Sequence, residues 1–150
     1  MVGRPVVAGA DESVASKGQH VAKYAVESRR MVMASAEHKS FTSSDERRAF
    51  PKGTVDLINI GGGQVGRLTL EPGWRWSEHV KPIAGTEWCE APHFQYQVSG
   101  TIHVVMADGT EFDCVAGDVV ALPSGHDAWV VGDEPVVVID WHGASNYARS

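Results

Sequence analysis

The rhythm of hydrophobic and polar positions changes near residue 50. From there on, short β-branched or aromatic runs alternate with turn residues: TVDLINI, VGRLTLE, WRWSEHV, FQYQVSG, TIHVVMA, EFDCV, DVVALP, DAWVVG and PVVVIDW. Each run has the length of a strand, and alternation with period two marks one buried face. Several breaks carry their own turn chemistry. Asp108-Gly109 is a strong hairpin signal, and EPG at 71–73, VAGD at 115–118 and GDEP at 132–135 are further turns. Eight or nine short strands with no long helix between them predict an antiparallel, all-β sandwich or barrel.

Before residue 50 the pattern is different. Val21, Tyr24, Ser28 and Val32 have helical spacing, which predicts a helix over 19–34 with a weak apolar stripe. Ser43 and Glu46 have the spacing of a capping box for a short helix at 44–49. The chain is therefore divided into a partly helical or mobile leader (1–49), a barrel (50–143) and a C-terminal tail (144–150). GGGQVG at 61–66 satisfies G-x-G-x-x-G, but RLTLEPG follows it and alternates like a strand. A dinucleotide fingerprint needs a helix there, because the helix N-terminus holds the pyrophosphate. The glycines read instead as a hairpin or bulge.

Composition narrows the function classes. At 150 residues, 43% hydrophobic and 21% charged, the chain has material for one globular core. A net charge of −6 and the lack of a Lys/Arg stripe argue against a nucleic-acid partner. No apolar run approaches the length of a membrane span. The first twenty residues lack the continuous hydrophobic core of a signal peptide, so a cytoplasmic protein is expected. Cys89 and Cys114 are the only cysteines, and two reduced thiols suit that compartment.

GDVVALPSG, Gly117 to Gly125, resembles the second motif of the cupin superfamily in Gly117, Pro123 and Gly125, and Gly73 and Gly100 match the ends of the first. The resemblance covers about residues 50–143 and implies a small single-domain bacterial cupin, a double-stranded β-helix or jelly-roll barrel. It also implies a metal set of two histidines and a glutamate from the first motif and a histidine from the second. This sequence departs from that set. Counted forward from Gly73, the first histidine position is His79 and the second is Lys81. Counted back from Gly100, the glutamate position is His93 and the histidine positions fall on Cys89 and Glu87. Ala128 holds the second-motif position, with His126 two residues earlier.

The resemblance thus nominates Cys89, His93 and His126 as ligands of a divalent metal, with His79 or Glu87 as a fourth. Such donors suit zinc, iron or nickel. Gln95, Gln97 and Asp127 are expected around the ligands or substrate, and Trp88 and Trp129 at the pocket. Trp74 and Trp76 share a face of one expected strand and, with Trp141, read as mainly structural. Alternation alone gives another reading of HFQYQV: Phe94, Tyr96 and Val98 in the core, His93 in water. A Cys89–His93 thiolate pair is a weaker reading because nothing in the sequence orients a third group, and a Ser124–His126–Asp127 triad is weaker because such neighbours in a tight turn rarely align. The expected function is a metal-dependent oxygenation, isomerisation or hydrolysis of a small polar organic molecule. The alternative is a non-catalytic small-molecule-binding or regulatory cupin without metal. Pairing through an outer apolar face or edge strand would give a homodimer.

Overall fold

The computed structural model describes residues 35–149. Among the described residues, nine strands form two sheets, with two short helices and two 3₁₀ turns. The strands are β1 (Glu46–Phe50), β2 (Gly53–Ile60), β3 (Gly63–Leu70), β4 (His93–Ser99), β5 (Thr101–Met106), β6 (Glu111–Cys114), β7 (Val119–Leu122), β8 (His126–Val131) and β9 (Val136–His142). The six-stranded sheet has the order β1-β2-β3-β9-β4-β7, and the three-stranded sheet β6-β5-β8. Every pairing is antiparallel. The fold is the jelly-roll barrel that the strand rhythm and the resemblance imply.

Local chemistry explains the turns. Gly61 and Gly62 both have positive φ and close the β2–β3 hairpin in two residues, which makes GGGQVG a turn and not a phosphate loop. In the β5–β6 hairpin, Thr110 N donates to Asp108 Oδ1 at 2.9 Å, the side chain mimicking a backbone turn. The core lies between the sheets and is built from residues such as Val55, Leu57, Val104, Val136 and Val138.

Three expectations are corrected or fall outside the description. Residues 44–49 are not helical. Asp45 N donates to Leu57 O, Asn59 N donates to Asp45 Oδ2 and Ser44 Oγ donates to Asp56 Oδ1. These bonds hold the segment alongside β2, so Glu46–Phe50 extends the sheet into the stretch expected as a leader. WRWSEHV is not a strand. It and the following residues form α1 (Trp76–His79) and α2 (Lys81–Ala84). Asp127 Oδ1 accepts from Ser77 N at 3.0 Å and caps the first turn from β8, while Gly85, at φ 70°, ends α2. Trp74 and Trp76 therefore share no strand face, although both are buried. The helix expected over 19–34 lies outside the described residues.

The C-terminal segment also packs. Ala144 and Tyr147 are buried. Arg48 donates to the carbonyls of Tyr147 (2.6 Å) and Ser145 (3.0 Å), and the rings of Phe50 and Tyr147 meet at 5.8 Å. The turn into this segment needs Gly143: φ is 107°, and a Cβ there would run into the carbonyl of Pro92.

Candidate metal centre

β4 settles which face of HFQYQV points inward. His93, Gln95 and Gln97 are buried, while Phe94, Tyr96 and Val98 are 49%, 38% and 45% exposed. The loop before β4 is tied to the start of β8 by its backbone. Cys89 N donates to His126 O at 2.9 Å and Gly125 N donates to Cys89 O at 2.8 Å. Ser124 Oγ donates to Glu90 O at 2.6 Å. GTEWCEAPHF thus folds over the barrel mouth and places Cys89 beside the two imidazoles.

Donor atoms of Cys89, His93 and His126 lie within 4.8 Å of one another, and all three residues are buried. Cys89 Sγ is 3.9 Å from His93 Nε2. A sulfur and a nitrogen on one tetrahedral zinc are about 3.5 Å apart, given ordinary bond lengths of about 2.3 and 2.0 Å. The set is therefore close to a bound geometry. Each ring is also turned the right way. His126 Nδ1 is 2.9 Å from Pro123 O, which only accepts, so Nδ1 carries the proton and Nε2 has a free lone pair. His93 Nδ1 lies 2.6 Å from Asp140 Oδ2, which fixes the same tautomer when the carboxylate accepts. Asp140 is fully buried, and its other oxygen accepts from His142 N (2.9 Å) and Phe94 N (3.3 Å).

The electrostatics keep His126 and Cys89 neutral before a metal binds. Burial, and then the neighbouring His93, hold His126 down at about 4. Burial pushes the Cys89 thiol up to about 11, so a metal entering this site displaces its proton. Tyr147, 5.6 Å from His93 between ring centres, keeps its phenol proton well above the usual range, again chiefly through burial.

Of the other nominated residues, Gln95 alone shares the barrel interior with this cluster. His79 turns Nδ1 back to the amide of Arg75 (3.0 Å) at the start of its own helix, and Glu87 is exposed. Neither joins the three donors among the described residues. Asp127 caps α1 and pairs with Arg75 (3.1 Å) on the outside of β8. Trp129 is on that same outer side, with the Arg75 guanidinium 4.4 Å from its ring. Gln97 donates to the carbonyls of Ser99 and Gly100 at the turn between the sheets. Gln95 borders the barrel interior. Trp88 is half-buried and borders neither of the two spaces described next.

Asp140 and Tyr147 went unmarked in the sequence. The signal for Asp140 was present: it is the lone acid in the apolar run VVVID, a charge that needs a buried partner. Tyr147 had no comparable signal, because it follows the last strand in a polar stretch. It borders both spaces at the site. One is an outer pocket of about 490 Å³ that also reaches Cys89, Trp76, Val80, Trp141 and Arg149. The other is a small cavity of about 30 Å³ inside the barrel, bordered by His93, Gln95 and His126.

No protein-family model matches the sequence, and no curated protein matches it. Solved structures do. A Rhizobium leguminosarum protein of unknown function superposes with a TM-score of 0.52 at 16% identity, over 71% of this chain and 95% of its own. A Silicibacter pomeroyi sugar phosphate isomerase from the cupin superfamily follows at 0.49 and 21%, over 69% of this chain and 73% of its own. Bacillus subtilis oxalate decarboxylase matches at 0.47 and 26%, but this chain spans 27% of that chain's length and 65% of its own is covered. The chain shares a jelly-roll barrel fold with the Rhizobium protein. Within that barrel His126, two residues ahead of Ala128, keeps the inward side, because side chains alternate along β8.

Proposed function

We propose that this cupin barrel holds a divalent transition metal, zinc, iron or nickel, through Cys89, His93 and His126. The observation that carries the reading is the convergence of one thiol and two imidazoles whose Nδ1 atoms are already engaged. When bound, a metal with three protein ligands supplies a Lewis acid or an activated water at its open position. The chain's own residues do the rest. Asp140 fixes the His93 ring, Pro123 fixes the His126 ring, and the outer pocket admits a small polar organic molecule to the Cys89 side. The reaction class is metal-assisted oxygenation, isomerisation or hydrolysis. Two free, buried thiols suit a reducing cytoplasm. Phe94, Tyr96, Val98, Val119 and Trp141 give the barrel an exposed apolar outer face through which two copies pair.

The test is elemental analysis of protein purified without chelator. About one metal per chain is expected, falling to background in Cys89→Ala/His93→Ala. Background metal in the wild type would remove the reading. One observation favours a second reading, a non-catalytic ligand-binding or regulatory cupin without metal: the interior cavity has room for a single water-sized group. A tryptophan fluorescence response to small metabolites that survives EDTA unchanged would decide for it.

A further inference from the structure

Two residues, Trp76 and Tyr147, border both the outer pocket and the small cavity beside His93 and His126. They form the partition between the two spaces, and they are held very differently. Trp76 starts α1, where Asp127 Oδ1 accepts from Ser77 N at 3.0 Å and the amides of His79 and Val80 donate to Arg75 O and Trp76 O, each at 2.9 Å. Tyr147 hangs on the segment that follows β9. The backbone bonds within that segment are local: Asn146 N donates to Gly143 O at 3.0 Å and Tyr147 N to Ala144 O at 3.2 Å. Among the described residues, its hydrogen bonds to the rest of the barrel come from Arg48 alone, through the carbonyls of Tyr147 and Ser145. The seat of the segment is shaped for close approach. A Cβ at Gly66 on β3 would run into the Cβ of Ala144, and one at Gly143 would lie 3.2 Å from His93 Nδ1 as well as striking Pro92 O. At the far end Ala148 has φ 51°, a left-handed conformation disfavoured for a residue with a Cβ, so the seated segment carries backbone strain.

We propose that residues 143–149 are a strap that lifts about Gly143 and opens the passage between the outer pocket and the metal centre, with Arg48 as its latch. This deepens the metal reading above and rests on it: the strap sets how fast metal and ligand reach His93 and His126. Three observations carry it. The strap supplies Tyr147, the one part of the partition that is not built into a capped helix. A single side chain ties it down, so one lost contact frees all of it. Its hinge is a glycine at φ 107° and its far end is strained, so a second conformation relieves the backbone. The closed form is the resting one, because it buries Ala144 and Tyr147 and packs the Phe50 and Tyr147 rings 5.8 Å apart. Lifting breaks no strand pairing, so the barrel stays folded while the strap opens.

The two cysteines report on opening separately. Cys89 borders the outer pocket beside the strap, while Cys114 is buried on β6, opposite Ile102 in the other sheet. Metal-free protein is labelled with N-ethylmaleimide, and each thiol is counted by peptide mass. In Arg48→Met, Cys89 labelling is expected to rise about tenfold, the scale of losing hydrogen bonds from a charged donor, with Cys114 unchanged. Gly66→Ala, which presses on Ala144 without touching Arg48, is expected to act in the same direction. In zinc-loaded protein both variants should keep one zinc per chain and lose it to EDTA about tenfold faster than the wild type. Unchanged Cys89 labelling in both variants, or a rise of Cys89 and Cys114 together, would show that the segment moves only when the barrel unfolds. The strap would then fall and the metal centre stand. A wild type that binds no zinc would remove the metal reading, and the strap's role at that centre with it, whatever the labelling shows. Should neither variant fold, amide hydrogen exchange of the wild type decides. Asn146 and Tyr147 exchanging faster than Val104 would support the strap, and all three exchanging together would overturn it.

Discussion

β4 and β5 are joined through Gly100 alone, yet their two faces are assigned oppositely. β5 is an ordinary half-buried strand: Ile102 and Val104 point into the core, and Thr101 and His103 lie nearer solvent. β4 turns His93, Gln95 and Gln97 inward and leaves Phe94, Tyr96 and Val98 on the outside. Burying three polar side chains on one strand is costly unless each has a partner. The partners are specific. His93 has Asp140, and the Gln97 amide nitrogen has the carbonyls at the sheet crossover, while Gln97 Oε1 is unpartnered among the described residues and Gln95 faces the cavity. β5 supplies core, and β4 gives up core to hold a site.

The sharpest way to break that contrast is to make β4 resemble β5. His93→Leu is expected to cost about 3–5 kcal/mol in urea unfolding of the metal-free protein, because it strands the Asp140 carboxylate oxygen in the interior. Adding Asp140→Asn should recover a large part of that loss, since the charge goes and the amide oxygen still accepts from the His142 and Phe94 amides. Neither variant should hold metal. A His93→Leu protein as stable as the wild type would mean that Asp140 is not dependent on the imidazole.

The second contrast is with pH. His126 is buried and neutral, its pKa depressed from 6.5 to about 4. An unfolded chain therefore takes up this proton before the folded one does. The associated stability is complete above about pH 6.5 and is lost as pH falls towards 4, by about 3 kcal/mol at 1.36 kcal/mol per unit. Chelator-treated wild type and His126→Asn should show the difference as a steeper acid loss in the wild type. Parallel curves would show that His126 carries no such burden.

These residues also show how far the sequence could be read. Turn chemistry and strand rhythm were legible because they are local: Asp108-Gly109 and the β-branched runs need no tertiary information. The inward turn of His93 was not legible from alternation, which gave the opposite face; only the spacing from Gly100 gave the right one. α1 was missed because the group that caps Ser77 N sits 50 residues further along, on Asp127. His79 matched a motif position by counting, but the extra residues that became α1 and α2 turned it to the Arg75 backbone. Tyr147 reaches the site through Gly143 and two bonds from Arg48, and none of these leaves a periodic trace.

The smallest expected effect lies on the outer face. Val119 is 64% exposed on β7, at the edge of the larger sheet and opposite Tyr96. Val119→Thr keeps a β-branched shape and strand propensity and adds one hydroxyl in contact with water. In an isolated barrel the stability change should stay within about 0.5 kcal/mol, with metal content untouched. Pairing of two copies through this face changes the expectation. The melting temperature would then rise with protein concentration in the wild type, and the substitution would flatten that dependence without altering the dilute limit. A concentration-independent melting curve for both proteins would leave the apolar outside of β4 as the cost of its polar inside, with no second copy to cover it.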